Sequence, residues 1–133
     1  KKRTVNRSDG IIMKRLFEET QINGLTMKNR FVRSATVEGM ADSKGSPSPA
    51  LFKLYKRLAK GGVGGIITGM TIISKDGRSY FPGVLGIERD DQIPEYRNLV
   101  TKVYENDCKI AMQIAHSGRQ TTLPKRITSK AQR

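Results

Sequence analysis

The sequence predicts an α/β fold in which a β-hairpin precedes about three βα units. Short apolar runs of strand length alternate with segments of helical periodicity, and glycine-rich or proline-rich turns separate them. This alternation is typical of parallel strands joined by right-handed crossovers. A chain of 133 residues is too short for a closed eight-stranded barrel, which needs roughly 200–250 residues. No helix is predicted to cover the last strand, so the domain is expected to be incomplete.

The first elements are predicted from a turn signal and from residues that favour strands. Asn23-Gly24 favours the left-handed turn conformations, so residues 20–22 and 25–27 are predicted to be the arms of the hairpin. Residues 30–36 are predicted to form the first strand of the parallel sheet. Residues 41–49 are dense in Gly, Pro, Ser and Asp and are predicted to be a loop.

The first helix and the second strand follow that loop. Ser48 can cap the helix, with Pro49 in its first turn. Leu51, Leu54, Tyr55 and Leu58 keep helical spacing, and Gly61-Gly62 is expected to end the helix. Residues 63–71 are a short apolar run that predicts a buried strand ending near Met70.

The second half repeats the pattern. Residues 74–92 are predicted to be a long loop, because turn-forming pairs such as Asp76-Gly77 recur in it. The spacing of Ile93, Tyr96, Val100, Val103 and Tyr104 predicts a second amphipathic helix that ends near Asn106-Asp107. Residues 109–115 are the third apolar run and predict a third strand.

Most of the positive charge lies at the two ends of the chain. The net charge is +13, yet residues 16–118 carry 14 basic and 11 acidic residues. We therefore predict a basic leader over residues 1–13, a folded domain over 14–122 and a basic polar tail over 123–133. The alternative is a small basic module that binds nucleic acid or another polyanion. It is disfavoured because neither a binding motif nor an aromatic stacking pattern accompanies the charge.

The sequence offers few ligands for metals. Cys108 is the only cysteine and His116 the only histidine, which excludes an intrachain disulfide and a Cys/His metal cluster. No apolar run reaches the ~18 residues that span a bilayer. No apolar segment follows the basic N-terminus as it does in a secretory signal. We expect a cytoplasmic protein with no membrane partner.

Four segments, in order, resemble the start of old yellow enzyme and NADH:flavin oxidoreductase proteins. The first runs from Leu16 to Val32 and includes Asn23-Gly24-Leu25-Thr26-Met27-Lys28-Asn29-Arg30. The others are residues 55–68, residues 86–94 and Gln113-Ile114-Ala115-His116-Ser117-Gly118-Arg119, which is similar to the family signature Gln-x-x-His-x-Gly-Arg. The segment Arg33-Ser34-Ala35-Thr36 resembles the subgroup of enoate and 2,4-dienoyl-CoA reductases. The resemblance covers residues 14–122 and implies the N-terminal part of a (β/α)8 TIM barrel with FMN at the carboxyl ends of the strands.

The resemblance implies five cofactor-binding residues and no catalytic residue in this segment. The amide of Gln113 offers a donor and an acceptor together, which matches the N3–H and the adjacent carbonyl of the flavin. The alternative is an amide bonded to neighbouring backbone. His116 and Arg119 are interpreted as structural, with Arg119 anchoring a loop. The expected FMN contacts are Ser34, Ala35, Thr36, Met70 and Gln113.

The implied activity belongs to a larger protein. By resemblance, NAD(P)H reduces FMN, and the flavin then reduces an activated alkene, which is the small-molecule substrate. The segment alone is expected to be inactive. An iron–sulfur cluster, where the protein has one, would lie outside this segment, and a homo-oligomer is compatible with the resemblance. Val37 stands where the family often has Thr or Cys, which leaves the tuning of the flavin potential open.

Overall fold

The computed structural model describes residues 15–121, so the predicted leader and tail lie outside the described residues. Three turns of 3₁₀ helix, at residues 75–77, 90–92 and 118–120, lie in the connections. The strands and helices are β1 Thr20–Ile22, β2 Leu25–Met27, β3 Val32–Arg33, α1 Pro49–Lys60, β4 Gly65–Ile72, β5 Leu85–Gly86, α2 Ile93–Tyr104 and β6 Lys109–Ala115.

Strands β1 and β2 form the predicted antiparallel hairpin, separate from the main sheet. Asn23 has a φ of 44° and Gly24 a φ of 87°, the left-handed conformations that a two-residue hairpin turn needs. The Asn-Gly signal therefore predicted both the turn and the strand bounds.

Strand β4 is the centre of a parallel sheet. It pairs with β6 along its whole length, and its other edge pairs with β3 at the start and with β5 at the end. Three details differ from the sequence-based expectation: β3 is only two residues long, β4 ends at Ile72 and not near Met70, and β5 lies inside the predicted loop 74–92. A strand of two residues has no periodicity, so no pattern in the sequence could reveal β5.

The two helices cover one face of this sheet. Helix α1 begins as predicted, because the Ser48 hydroxyl accepts the N–H of Leu51 at 3.3 Å and Pro49 lies in the first turn. In α2 the expected core positions Ile93 and Tyr104 are instead 43% and 49% exposed. The helix turns a different stripe inward, and the shared core consists of Leu51, Tyr55, Ala59, Ile66, Leu85, Tyr96, Leu99, Val103 and Cys108.

Lys28 and Asn29, directly after the hairpin, bind the segments at the ends of both helices. The Lys28 ammonium donates to the carbonyl of Asn106 at 2.7 Å and to that of Ala59 at 3.4 Å. The Asn29 amide donates to the carbonyl of Gly62 at 2.6 Å. These side chains thus supply hydrogen-bond donors to carbonyls at the carboxyl ends of both helices.

Within residues 15–121, the structure contains no helix that is both long and apolar enough to cross a membrane.

Candidate functional site

The candidate site lies where β4 and β6 approach their carboxyl ends. Met70 is paired with Gln113 across the two strands, and the register shifts between Ile67 and Met70. The shift leaves one extra residue in β4, a β-bulge. At the bulge the Thr68 hydroxyl accepts the backbone N–H of Gln113 at 3.0 Å. The Thr68 side chain therefore binds the backbone of β6 at Gln113, the residue that is paired with Met70.

The side chain of Gln113 is directed away from the helices. Its neighbours Ile110 and Met112 pack against the core under α1 and α2. Side chains alternate along a strand, so Gln113 lies on the opposite face, where it is exposed. Its amide has no hydrogen-bond partner among residues 15–121. The alternative interpretation, in which the Gln113 amide is bonded to neighbouring backbone, is therefore not observed within residues 15–121.

Residues Ser34, Ala35 and Thr36 follow β3 and do not end it, since the strand stops at Arg33. The carbonyl of Ser34 accepts hydrogen bonds from the Arg33 guanidinium at 3.1 Å and from the Thr36 hydroxyl at 3.3 Å. A Cβ atom at Gly69 would lie 2.5 Å from the carbonyl oxygen of Thr36. This segment is therefore in contact with β4, one residue before Met70.

Met70 lines a narrow cleft between the connection after β3 and the segment before β5. Val37, Met40 and Val84 line the same cleft. The structure thus places Thr36 against Gly69 and pairs the adjacent Met70 with Gln113, near the carboxyl ends of β4 and β6. Ser34 and Ala35 lie in the same connection as Thr36, directly after β3.

A buried charge that the sequence did not reveal lies behind these residues. The Glu38 side chain is 5% exposed, and its carboxylate lies 3.1 Å from the Arg33 guanidinium. The hydroxyl of Tyr55 donates to the same carboxylate at 2.8 Å. Burial and the neighbouring carboxylate both raise the pKa of Tyr55, so this hydroxyl keeps its proton. Nothing in the local sequence distinguishes Glu38 from an exposed loop glutamate.

His116 and Asp76 meet just beyond the site. The sequence places no aspartate near His116, but the loop after β4 brings Asp76 Oδ2 to 3.7 Å from His116 Nε2. His116 Nδ1 accepts the N–H of Gly118 at 2.9 Å, and the N–H of Ser117 donates to the carbonyl of Gly77 at 2.9 Å. These contacts join the loops after β4 and β6 and support a structural role. Arg119 is exposed and has no carboxylate partner among residues 15–121, so its predicted anchor is not seen there.

The arrangement fits the edge of a flavin better than it fits a metal. The exposed amide of Gln113 offers a donor and an acceptor, which a planar heterocycle with N–H and carbonyl groups can pair with. None of the five side chains is an acid or a base near neutral pH. Within the described part of the chain, no group of three or more His, Cys, Asp or Glu residues could hold a metal ion.

Comparison with known proteins identifies the family of the chain. Residues 15–132 match the model of the NADH:flavin oxidoreductase / NADH oxidase family. The NADPH dehydrogenase of Listeria welshimeri is 34% identical over 119 residues, which are 88% of this chain and 35% of the relative. The chain thus spans about a third of the length of such relatives.

Solved structures give the same result for the fold. The old yellow enzyme of Pichia sp. AKU4542 superposes with a TM-score of 0.73 at 22% identity, over 80% of this chain and 28% of that one. Morphinone reductase in complex with tetrahydroNAD gives a TM-score of 0.71 at 26% identity, over 80% and 28%. The predicted fold, the N-terminal part of a (β/α)8 barrel, is therefore confirmed, and the chain belongs to the NADH:flavin oxidoreductase family of old yellow enzyme.

Proposed function

We propose that this segment forms one wall of an FMN site in an NAD(P)H-dependent oxidoreductase that reduces activated carbon–carbon double bonds. The supporting observation is that Gln113 is exposed and is paired across the strands with Met70, whose neighbour Gly69 contacts the carbonyl of Thr36. Family membership supports a flavin as the cofactor. A nicotinamide donor is supported by a similar structure, morphinone reductase, which is in complex with tetrahydroNAD.

The role of these residues is binding and orientation. FMN, when bound, supplies the hydride chemistry between NAD(P)H and the alkene. The Gln113 amide would hold the N3–H and the adjacent carbonyl of the ring. Ser34, Ala35 and Thr36 would line the ring with backbone and small side chains, and Met70 with its backbone. No proton transfer is assigned to them, because none of these side chains titrates near neutral pH.

The activity itself is proposed for the whole protein. A ligand site normally encloses most of its ligand, whereas the contacts proposed here reach one edge of the ring from three strands. We therefore propose that residues 1–133 alone bind FMN weakly and reduce no alkene. The small-molecule substrate and the assembly state belong to the same proposal for the whole protein.

An NMR titration of the ¹⁵N-labelled chain with FMN tests the proposed site even when binding is weak. We expect the backbone signals of Ala35, Thr36, Met70 and Gln113 to shift. Gln113→Ala should weaken FMN binding about fivefold or more, because each lost hydrogen bond contributes on the order of 1 kcal/mol. Gln120→Ala, an exposed glutamine beyond β6, is the matched control and should leave the affinity unchanged.

Two results would contradict the proposal in different ways. Shifts confined to other residues, or no shift at any FMN concentration, would exclude the site. Tight stoichiometric binding by residues 1–133 would keep the site and exclude the weak binding proposed for this chain.

A further inference from the structure

A chain of buried polar contacts links the three segments of the candidate site from behind. The Arg33 guanidinium pairs with Glu38 at 3.1 Å, and the Tyr55 hydroxyl donates to the same carboxylate oxygen at 2.8 Å. The Tyr55 oxygen in turn accepts the backbone N–H of Gly69 at 3.3 Å. The contacts thus run from the connection after β3, through helix α1, to the bulge of β4.

The bulge is what places Gln113. The bulged residues Thr68 and Gly69 leave the regular ladder, and the Thr68 hydroxyl takes the N–H of Gln113 in place of a backbone carbonyl. The same hydroxyl donates to the carbonyl of Gly69 at 2.9 Å. The position of Gln113 therefore depends on the conformation of a bulge whose Gly69 N–H is held by Tyr55.

Gly69 also allows the connection after β3 to reach β4. A Cβ atom at this position would collide with the Glu38 carboxylate and would lie 2.5 Å from the carbonyl oxygen of Thr36. The absence of a side chain therefore lets Glu38 and Thr36 occupy this space. One glycine thus brings the segment Ser34–Thr36 against the strand that pairs with Gln113.

The buried Arg33–Glu38 ion pair is better explained as fixing the arrangement of these segments than as stabilising the fold. Desolvation offsets much of the attraction within a buried ion pair, so such a pair contributes little net stability and is better suited to fixing one arrangement. The Arg33 guanidinium also donates to the carbonyl of Ser34 at 3.1 Å and lies 5.8 Å from the centre of the Tyr55 ring. The Arg33 side chain therefore contacts both the segment Ser34–Thr36 and helix α1.

We propose that Arg33, Glu38 and Tyr55 are positioning residues that hold the β4 bulge and thereby orient Gln113 and the segment Ser34–Thr36 toward the cofactor. This inference rests on the proposed FMN site. None of the three residues is assigned a contact with the cofactor itself.

The experiment compares two deletions of a buried tyrosine hydroxyl. Tyr55→Phe removes the contacts to Glu38 and Gly69. Tyr96→Phe is the matched control, because the Tyr96 hydroxyl also donates from a helix into the sheet, to the carbonyl of Gly86 at 2.9 Å, and is not hydrogen-bonded to Thr68 or Gly69. Glu38→Gln is a milder second variant, which keeps the shape of the side chain and removes the charge that faces Arg33.

Amide exchange and ¹⁵N spectra of the full chain are recorded without FMN, and FMN is then titrated into the same samples. Tyr55→Phe should make the Gly69 amide exchange about fivefold faster than in Tyr96→Phe, the factor that corresponds to one hydrogen bond. It should also move the signal of Gln113 and weaken the FMN response there, and Glu38→Gln should move the same signals.

The outcomes separate the two proposals. Unchanged Gly69 and Gln113 signals in Tyr55→Phe and Glu38→Gln, relative to the control, would overturn the positioning role. If these signals move but the wild-type chain gives no FMN response at Gln113, the bulge is held as inferred and the proposed FMN site fails.

Discussion

Lys28 is predicted to hold the carboxyl ends of both helices, and Lys28→Met tests this directly. The ammonium lies 2.7 Å from the carbonyl of Asn106 and 3.4 Å from that of Ala59. A hydrogen bond from a charged donor contributes about 1.5–3 kcal/mol, and the longer second bond adds little. Met keeps most of the aliphatic stem, so the expected loss in the free energy of unfolding is about 2–3 kcal/mol. For a domain near this size that corresponds to a fall in Tm of roughly 10 °C or more.

Urea denaturation monitored by circular dichroism measures this loss in the free energy of unfolding. Lys102→Met is the matched control, because Lys102 pairs at 2.9 Å with Glu105 on the surface, where both side chains are 40% or more exposed. Water and salt screen such a pair, so the control should change stability little. If Lys28→Met costs no more than Lys102→Met, the contacts of Lys28 with the helix ends do not stabilise the fold, and the reasoning is refuted.

Three further predictions concern the scaffold around the site. Ser48→Ala removes the N-cap of α1, whose hydroxyl accepts the Leu51 N–H, and should lower the free energy of unfolding by about 1 kcal/mol in urea denaturation; an unchanged midpoint would refute the cap. Gly64→Ala places a Cβ atom 2.6 Å from Asn29 Oδ1 and should cost about 1–3 kcal/mol in the same assay, so a fully stable variant would show that Asn29 can move aside. Burial raises the pKa of the Cys108 thiol, so the unfolded state loses this proton at lower pH than the folded state, and stability should fall as pH rises through the thiol range near 8.5 and above. Cys108→Ala should reduce that slope in denaturation curves measured from pH 7.5 to 10, and an identical slope would contradict the assignment.

Local signals predicted the elements that depend on local chemistry. The hairpin and strand β6 have the bounds that the sequence indicated, because the Asn-Gly turn and a seven-residue apolar run act within a few residues. The start of α1 was predicted for the same reason, since Ser48 and Pro49 have a cap geometry that needs no distant partner. The predicted N-terminal part of a barrel is confirmed by similar structures, but it came from the resemblance and not from the pattern.

The details of the site depend on contacts between residues far apart in the sequence. The sequence alone indicated Gln113 as an exceptional polar residue in an apolar strand, but only the fold shows its amide exposed opposite Met70. Strand β5 pairs in parallel with the end of β4, a partner that is distant in the sequence. Asp76 meets His116 only because two loops converge.

Composition, turns and periodicity thus determined the type and order of the longer strands and helices and of the hairpin, because each of these depends on interactions between residues close in the sequence. The tertiary structure alone decided which polar groups are buried together. Glu38 looks like any loop glutamate in the sequence, and it becomes a buried partner of Arg33 and Tyr55 only where helix α1 crosses the bulge of β4. Burial and pairing are properties of the packed chain, and no single segment encodes them.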